Sequence, residues 1–422
     1  MVFNSPAYLF AFFPAVWLIA RPLGDKGRKL FLCAALLLFY AFGDVRSLPF
    51  LLLFAALQYV LALRIRGRRA LLVLGVVLDV GALCVCKAVG RAPLGVSFFT
   101  FQAVAYLTEV YRAPEKASRD AAEVLLYLCF FPRLLSGPLM GWDEHHRQYT
   151  SLRMDACSAA EGVCRFVRGL AKKLLLSDMV GRIADEVFAA EVGSLSSAGA
   201  WLGAVAYCLQ LYYDFSGYSD MAIGMGKCFG FTFPENFDRP FISVSIGEFW
   251  RRWHMTLGGW FRQYVYFPLG GSRRGRGRTA LNKLVVFLLT GLWHGFGWTF
   301  LLWGLWHGLL SAMESLWDGH RKYARFYTLP AVLLGFVMFR AESVGQGFAL
   351  IARLFSFSGG ALPAHTGVRL CALLAALPLS VVKRPGEKLP AWLRTAAVLL
   401  LYVLCLCVMA GNDFAPFIYA QF

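Results

Sequence analysis

Charge is what this chain has least of. Asp, Glu, Lys and Arg make up 16% of its 422 residues, against about 25% in soluble domains. With 58% hydrophobic residues and a mean hydropathy of +0.57, a water-soluble globule is excluded and a polytopic membrane protein is indicated. The charge that remains is one-sided, with 25 acids against 42 Lys and Arg and a net +17. In a soluble chain that excess would suggest nucleic acid. Here no aromatic-interleaved basic groove or finger motif accompanies it, so no nucleic-acid partner is expected.

The common catalytic signatures are absent too. Eleven cysteines occur without a single CxxC. Most, such as Cys33, Cys84, Cys129, Cys208 and Cys405, lie inside apolar runs and read as small hydrophobes, so no metal is expected. Gly226-Lys227 lacks the glycine five residues upstream that a phosphate loop needs. Neither HExxH nor GxSxG occurs, so nucleotide hydrolysis, zinc proteolysis and serine-elbow hydrolysis lose their usual support. No basic segment and small-residue cleavage site mark a removable signal peptide. No Gly/Pro-rich boundary divides the chain, which reads as a single integral-membrane domain over 1–422 with its catalytic core at about 124–317.

What the chain has in abundance is apolar segments. Candidate spans cover residues 7–20, 30–42, 48–63, 70–89, 96–111, 124–140, 162–176, 201–215, 284–298, 300–316, 326–339, 368–382 and 391–409. A bilayer core needs about 20 residues per helix, so some are short, and about eleven true crossings are expected. Basic clusters follow or precede the spans: Arg21, Lys26, Arg28 and Lys29; Arg64, Arg66, Arg68 and Arg69; Arg273, Arg274, Arg276, Arg278 and Lys283; Arg321, Lys322 and Arg325; Lys383, Arg384 and Lys388. All fall inside the cell if the N-terminus is extracytoplasmic. The 131–138 segment, with Pro132 and Pro138, should break a helix within an apolar region; such backbone at depth must line a cavity or pack on protein. His145 and His146 read as a solvated loop.

Ionisable groups concentrate between Tyr212 and Gly308, and at membrane depth they mark a functional site. Ser245-Ile246-Gly247-Glu248 is a capping box that starts a helix. Trp250, Trp253, Leu257, Trp260 and Tyr264 then recur at helical steps, so one helix is expected to run through them. On it His254 and Arg251 share a face, and the arginine favours the neutral imidazole that a base requires. Gly-Leu-Trp-His-Gly is written twice, at 291–295 and 304–308. Gly291 and Gly295 allow a close helix approach. The two copies place His294 and His307 roughly 220° apart on a continuous helix, unless a turn near Gly297 or Trp298 breaks it. Of the two, His294 reads as the functional one. Asp214 and Asp220 lie about 240° apart, which rules out a glycosidase-type pair and favours structural work; Asn236 and Asp238 sit in a proline-bounded loop suited to the same task.

The motifs around Asp214 and Asp220, Glu235 to Pro240, Glu248 to Leu257, and Gly291 to Gly295 resemble the membrane-bound O-acyltransferase family. The likeness is to its bacterial branch of alginate O-acetyltransferase membrane subunits and D-alanyl transfer proteins. Met1 to Ser5, the stretch 335–342 and Phe417-Ile418-Tyr419 also look like the alginate-type members. The resemblance implies an all-α ring of about 11 transmembrane helices, plus re-entrant and interfacial ones, around a central funnel in the bacterial inner membrane. It makes His294 and His254 the catalytic pair; Asp214, Arg251, Trp253, Trp293 and Asn236 are expected beside them as supporting or substrate-positioning residues. It implies an acyl thioester donor, acetyl-CoA in the alginate-like branch, with no tightly bound cofactor. Membrane lipid, an extracytoplasmic SGNH-type acetyltransferase and an exported polysaccharide acceptor are the implied partners. D-alanyl transfer to teichoic acid and peptidoglycan O-acetylation are the alternatives within the family. Outside it, a non-catalytic export subunit or a polysaccharide or lipid transporter stays open, although the paired inverted repeats of many transporters are missing.

Overall fold

The computed structural model describes residues 3–317, 320–363, 366–382, 390–411 and 417. Among them the regular secondary structure is helical, apart from one isolated β-bridge between Leu195 and Ala361. A π-helical turn, Ala7–Phe12, leads into α1 (Phe13–Ala20). There follow α2 (Asp25–Asp44), α3 (Leu48–Ile65), α4 (Arg69–Val89), α5 (Val96–Arg112), α6 (Ala121–Cys129), α7 (Trp142–Thr150) and α8 (Ala156–Ala171). Next come α9 (Asp178–Ala189), α10 (Ser197–Cys228), α11 (Ile246–Arg252), α12 (Met255–Phe261), α13 (Gly275–His294) and α14 (Trp298–Leu316). The last are α15 (His320–Arg340), α16 (Val344–Leu354), α17 (Thr366–Leu379) and α18 (Ala391–Gly411).

Two compact units are present, neither contiguous. One comprises Met1–Leu170, Tyr218–Glu235 and Asp413–Phe422, the other Ala171–Gly217 and Asn236–Asn412. Among the described residues three runs are long and apolar enough to cross a membrane, Asp25–Ile65, Arg69–Val89 and Ala391–Gly411, and four shorter apolar helices accompany them. In the latter two runs only 17% and 11% of the apolar window is buried. Leucines and valines such as Leu53, Val77, Val85 and Leu400 stand outward, an arrangement stable in lipid and not in water.

Most expected spans coincide with helices, and the departures have physical causes. The 201–215 span runs on to Cys228, because Asp214 and Ser216 are buried inside the helix rather than ending it. The 124–140 span stops at Cys129, and Phe130 to Met140 is buried non-helical chain, as Pro132 and Pro138 require. Buried Arg133 folds back and donates from Nη2 to the Tyr127 carbonyl, a cation satisfying the C-terminal end of α6. The loop reading of His145 and His146 is corrected. Both lie on α7, and His145 is 1% exposed, stacked on Phe231 at 5.5 Å beside Tyr127 and Trp142. His146 meets Glu123 Oε1 at 2.7 Å. A single buried histidine in a polar helix leaves no periodic signal. Lys383, Arg384 and Lys388, Met1 and Val2, Ile418 and Tyr419, and the side chains of Arg321, Lys322 and Arg325 lie outside the described residues.

Candidate active site

The candidate residues all fall in the second unit. Its first part is built on α11. Ser245 Oγ accepts from the Glu248 N–H at 3.1 Å, the first half of the expected box. The Glu248 carboxylate reaches the Val244 N–H at 3.0 Å, one residue before the Ser245 partner a capping box uses. Glu314, from α14, completes the cap by accepting from Ile246 N–H at 2.7 Å and Gly247 N–H at 2.9 Å. Three of the helix's four orphan donors are thereby satisfied. Glu314 carried no sequence signal, because it lies 68 residues from the amide it caps.

The expected continuous helix is broken. α11 ends at Arg252, Trp253 is extended, and His254 takes a left-handed backbone (φ +46°) as the N-cap of α12. Such a conformation costs a non-glycine residue about 1–2 kcal/mol, and the 236–238 loop holds it in place. Asp238 N–H donates to Arg252 O at 3.0 Å, and Met255 N–H donates to Asn236 O at 2.9 Å. Arg251 is exposed on α11. Its neighbour Arg252 is the arginine bound into the loop, reaching Glu248 Oε1 at 2.9 Å and Asp238 Oδ2 at 3.0 Å. The break thus takes His254 off the Arg251 face, and a different residue partners the imidazole.

That partner is Asn236. Its Oδ1 accepts from Thr256 N–H at 3.2 Å and Thr256 Oγ1 at 2.9 Å, and lies 3.1 Å from His254 Nδ1. A backbone N–H can only donate, so this amide atom is the oxygen and His254 Nδ1 carries a proton. In the neutral ring the lone pair then sits on Nε2, which is buried with no hydrogen-bond partner among the described residues. Phe215 closes the ring edge-on at 4.5 Å. Trp253, 2% exposed, stacks on Phe249 at 5.5 Å and meets Phe237 at 5.2 Å. Asn236→Ala frees the tautomer and removes the α12 cap together. The expected loss is about 1–2 kcal/mol of stability, with His254 ring-nitrogen NMR shifts moving from the Nδ1–H form towards a mixture; an unchanged spectrum would contradict the assignment.

Asp214 serves elsewhere in this unit. Lys173, from the π-helical turn Lys172–Ser177, bonds Asp214 Oδ1 at 2.8 Å and Asp178 Oδ1 at 2.8 Å. The Lys173 and Asp214 side chains are 2% and 1% exposed. This triad was not visible in the sequence, since its members come from three separate elements.

The doubled motif forms a helical hairpin. α13 ends at His294, residues 295–297 turn the chain, and α14 returns alongside. The leading glycines of the two copies face each other. A Cβ on Gly291 would lie 2.5 Å from Phe300 O, and one on Gly304 2.6 Å from Phe287 O. Repetition of the motif is thus explained by backbone contact. Gly304→Ala should destabilise the protein by about 1–3 kcal/mol through overpacking, read as a lower midpoint of thermal unfolding in detergent; an unchanged midpoint would deny the close approach.

His294 sits at the terminus of α13, 7% exposed. Trp293 packs on it at 4.5 Å, Phe339 stands edge-on at 4.9 Å and Trp303 edge-on at 5.3 Å. His307, on α14, is 0% exposed and also meets Trp303 at 5.3 Å. The chain break answers the rotational objection: both histidines face one tryptophan, from two helices. The ring path continues from Trp303 to Trp250 at 5.4 Å, then to Phe249 and Trp253. Trp303 and Phe339 were missed because aromatic residues are everywhere in this sequence. No group of three or more His, Cys, Asp or Glu side chains suited to a metal ion occurs among the described residues.

Comparison with known proteins gives this geometry its context. The sequence model of the membrane-bound O-acyltransferase family (MBOAT) matches residues 51–340. A probable alginate O-acetylase, AlgI, of Pseudomonas fluorescens is 33% identical, with 100% of both chains covered. A peptidoglycan O-acetyltransferase of Helicobacter pylori is 33% identical over 86% of this chain and 81% of its own. A teichoic acid D-alanyltransferase of Bacillus subtilis is 30% identical over 48% of this chain and 53% of its own.

Proposed function

This chain belongs to the membrane-bound O-acyltransferase family, and we propose that it is an O-acetyltransferase passing an acetyl group from cytoplasmic acetyl-CoA towards an exported, alginate-like polysaccharide. The acceptor follows the full-length likeness to alginate O-acetylases; the half-length match makes D-alanyl transfer the weaker reading. His294 acts as general base. Its ring nitrogen takes the proton of the attacking hydroxyl, the oxygen forms a bond to the thioester carbonyl carbon, and the carbon–sulfur bond breaks. The thiolate leaves with that proton, giving an ester and a thiol. His254, its proton fixed on Nδ1 by Asn236, offers Nε2 to a hydroxyl or amide N–H of donor or acceptor. Trp293 walls His294, Trp253, stacked on Phe249, anchors the extended turn that presents His254, and Arg251 supplies an exposed cation for donor or acceptor. About eleven crossings are proposed, with the N-terminus extracytoplasmic so that the basic clusters stay inside the cell. An SGNH-type partner passes the group on to long polymer outside the cell, whereas a short oligosaccharide enters the site directly.

The observation that carries the reading is His294, a buried imidazole at a helix end where the hairpin opens, in a unit that also holds a histidine of fixed tautomer. The test is release of CoA from acetyl-CoA by the purified chain with an alginate oligosaccharide as acceptor. Acetyl-CoA turnover with ester formation is expected. Turnover only with a D-alanyl carrier-protein thioester would move the chain to the teichoic-acid reading, and none with either donor would favour an export subunit.

A further inference from the structure

His307 is the most enclosed histidine of the hairpin, and the acyl-transfer reading above gives it no task. Its ring is 0% exposed. Neither Nδ1 nor Nε2 has a hydrogen-bond partner among the described residues. Its neighbours are Trp250 at 4.9 Å and 79°, Trp303 at 5.3 Å and 65°, and Phe287 at 6.2 Å. A buried polar ring without partners is costly, and an apolar side chain would fill the same space without that cost. The backbone also makes room for it: a Cβ on Gly335 would lie 2.3 Å from His307 Nε2.

We infer that His307 is a positioning residue for His294, acting through Trp303. The edge-to-face contact gives an imidazole N–H a preferred direction over an indole face, which fixes the plane of Trp303. Trp303 in turn stands at 88° to His294, 5.3 Å away, with Phe339 at 87° on another side. Two perpendicular walls set the rotation of the His294 ring, and so the direction in which its base nitrogen points. Trp250, 5.4 Å from Trp303, braces the same wall from α11. The second Gly-Leu-Trp-His-Gly copy thus orients the histidine of the first.

This inference rests on the acyltransferase reading, and the experiment separates the two. Full-length parent and variants are purified in detergent, and CoA release from acetyl-CoA is measured with an alginate oligosaccharide. His307→Ala should lower kcat about ten- to hundredfold, the scale of a misplaced catalytic group, with KM for acetyl-CoA unchanged. Gly335→Ala should give the same loss by displacing the ring. In the double variant, Gly335→Ala should add nothing to His307→Ala, because the clash is gone. If His307→Ala does not accumulate, His307→Asn, a shorter planar side chain, is read by the same criteria. Unchanged kcat, a defect confined to KM, or fully additive defects would each overturn the inference while leaving the acyltransferase reading intact. A parent without turnover would remove the reading itself.

Discussion

His294→Ala is expected to reduce acyl transfer by about 100- to 10,000-fold, the range lost with a general base, while the protein still accumulates in the membrane. The expectation follows from position. His294 closes α13 at the point where the hairpin opens, and ring contacts with Trp293, Trp303 and Phe339 surround its imidazole. Removing the imidazole leaves the glycine-to-glycine contact of α13 and α14 in place, because that contact lies three residues earlier at Gly291. The stability loss should stay within about 1–3 kcal/mol, typical of a single truncation. His294→Gln, which keeps a polar side chain but cannot exchange a proton near neutral pH, should be equally inactive. If His294→Gln retained full turnover, the ring would be a spacer and the base would have to be sought elsewhere.

Asp214→Ala should act on stability rather than on chemistry. Lys173 is held between Asp214 and Asp178, and of the three side chains only Asp178 retains appreciable exposure, at 23%. Deleting Asp214 takes one of two acids from a buried lysine. Asp178 still faces it, so the loss is expected below the roughly 3–5 kcal/mol of a buried charge left with no partner. A markedly lower thermal midpoint and reduced accumulation are expected, with near-parental turnover per folded molecule. Replacing Lys173 and Asp214 together by leucine should recover only part of that loss, since it removes both buried charges but leaves the part-exposed Asp178 without its lysine. A normal midpoint with abolished turnover would instead put Asp214 in the catalytic machinery.

These expectations draw unequally on sequence and structure. Ser245 and Glu248 were legible because a capping box is local chemistry. The positions of most apolar helices were legible because hydropathy is additive along a helix, although several of their ends were not. The break at His254 was not, because it is held by Asn236, 18 residues upstream, and periodicity counts neighbours on one helix only. The pairing of Lys173 with Asp214 was hidden for the same reason: from 41 residues away each looks like an isolated charge. The doubled Gly-Leu-Trp-His-Gly was visible, but its meaning needed the turn at 295–297. With the turn, Gly291 meets Gly304, and both histidines reach Trp303. Asp214, expected as a support of the site, is held in the buried pair with Lys173. Arg251, expected beside His254, is exposed, and it is Arg252 that is held by Glu248 and Asp238.

The central claim is that this chain moves an acetyl group from a thioester donor through a site containing His294. Vesicles carrying the purified chain, loaded with alginate oligosaccharide and given labelled acetyl-CoA outside, test it most directly. Label should appear as ester on the enclosed oligosaccharide with the parent chain and fall to background with His294→Gln. Equal labelling by both proteins, or entry of intact acetyl-CoA without ester formation, would contradict the account.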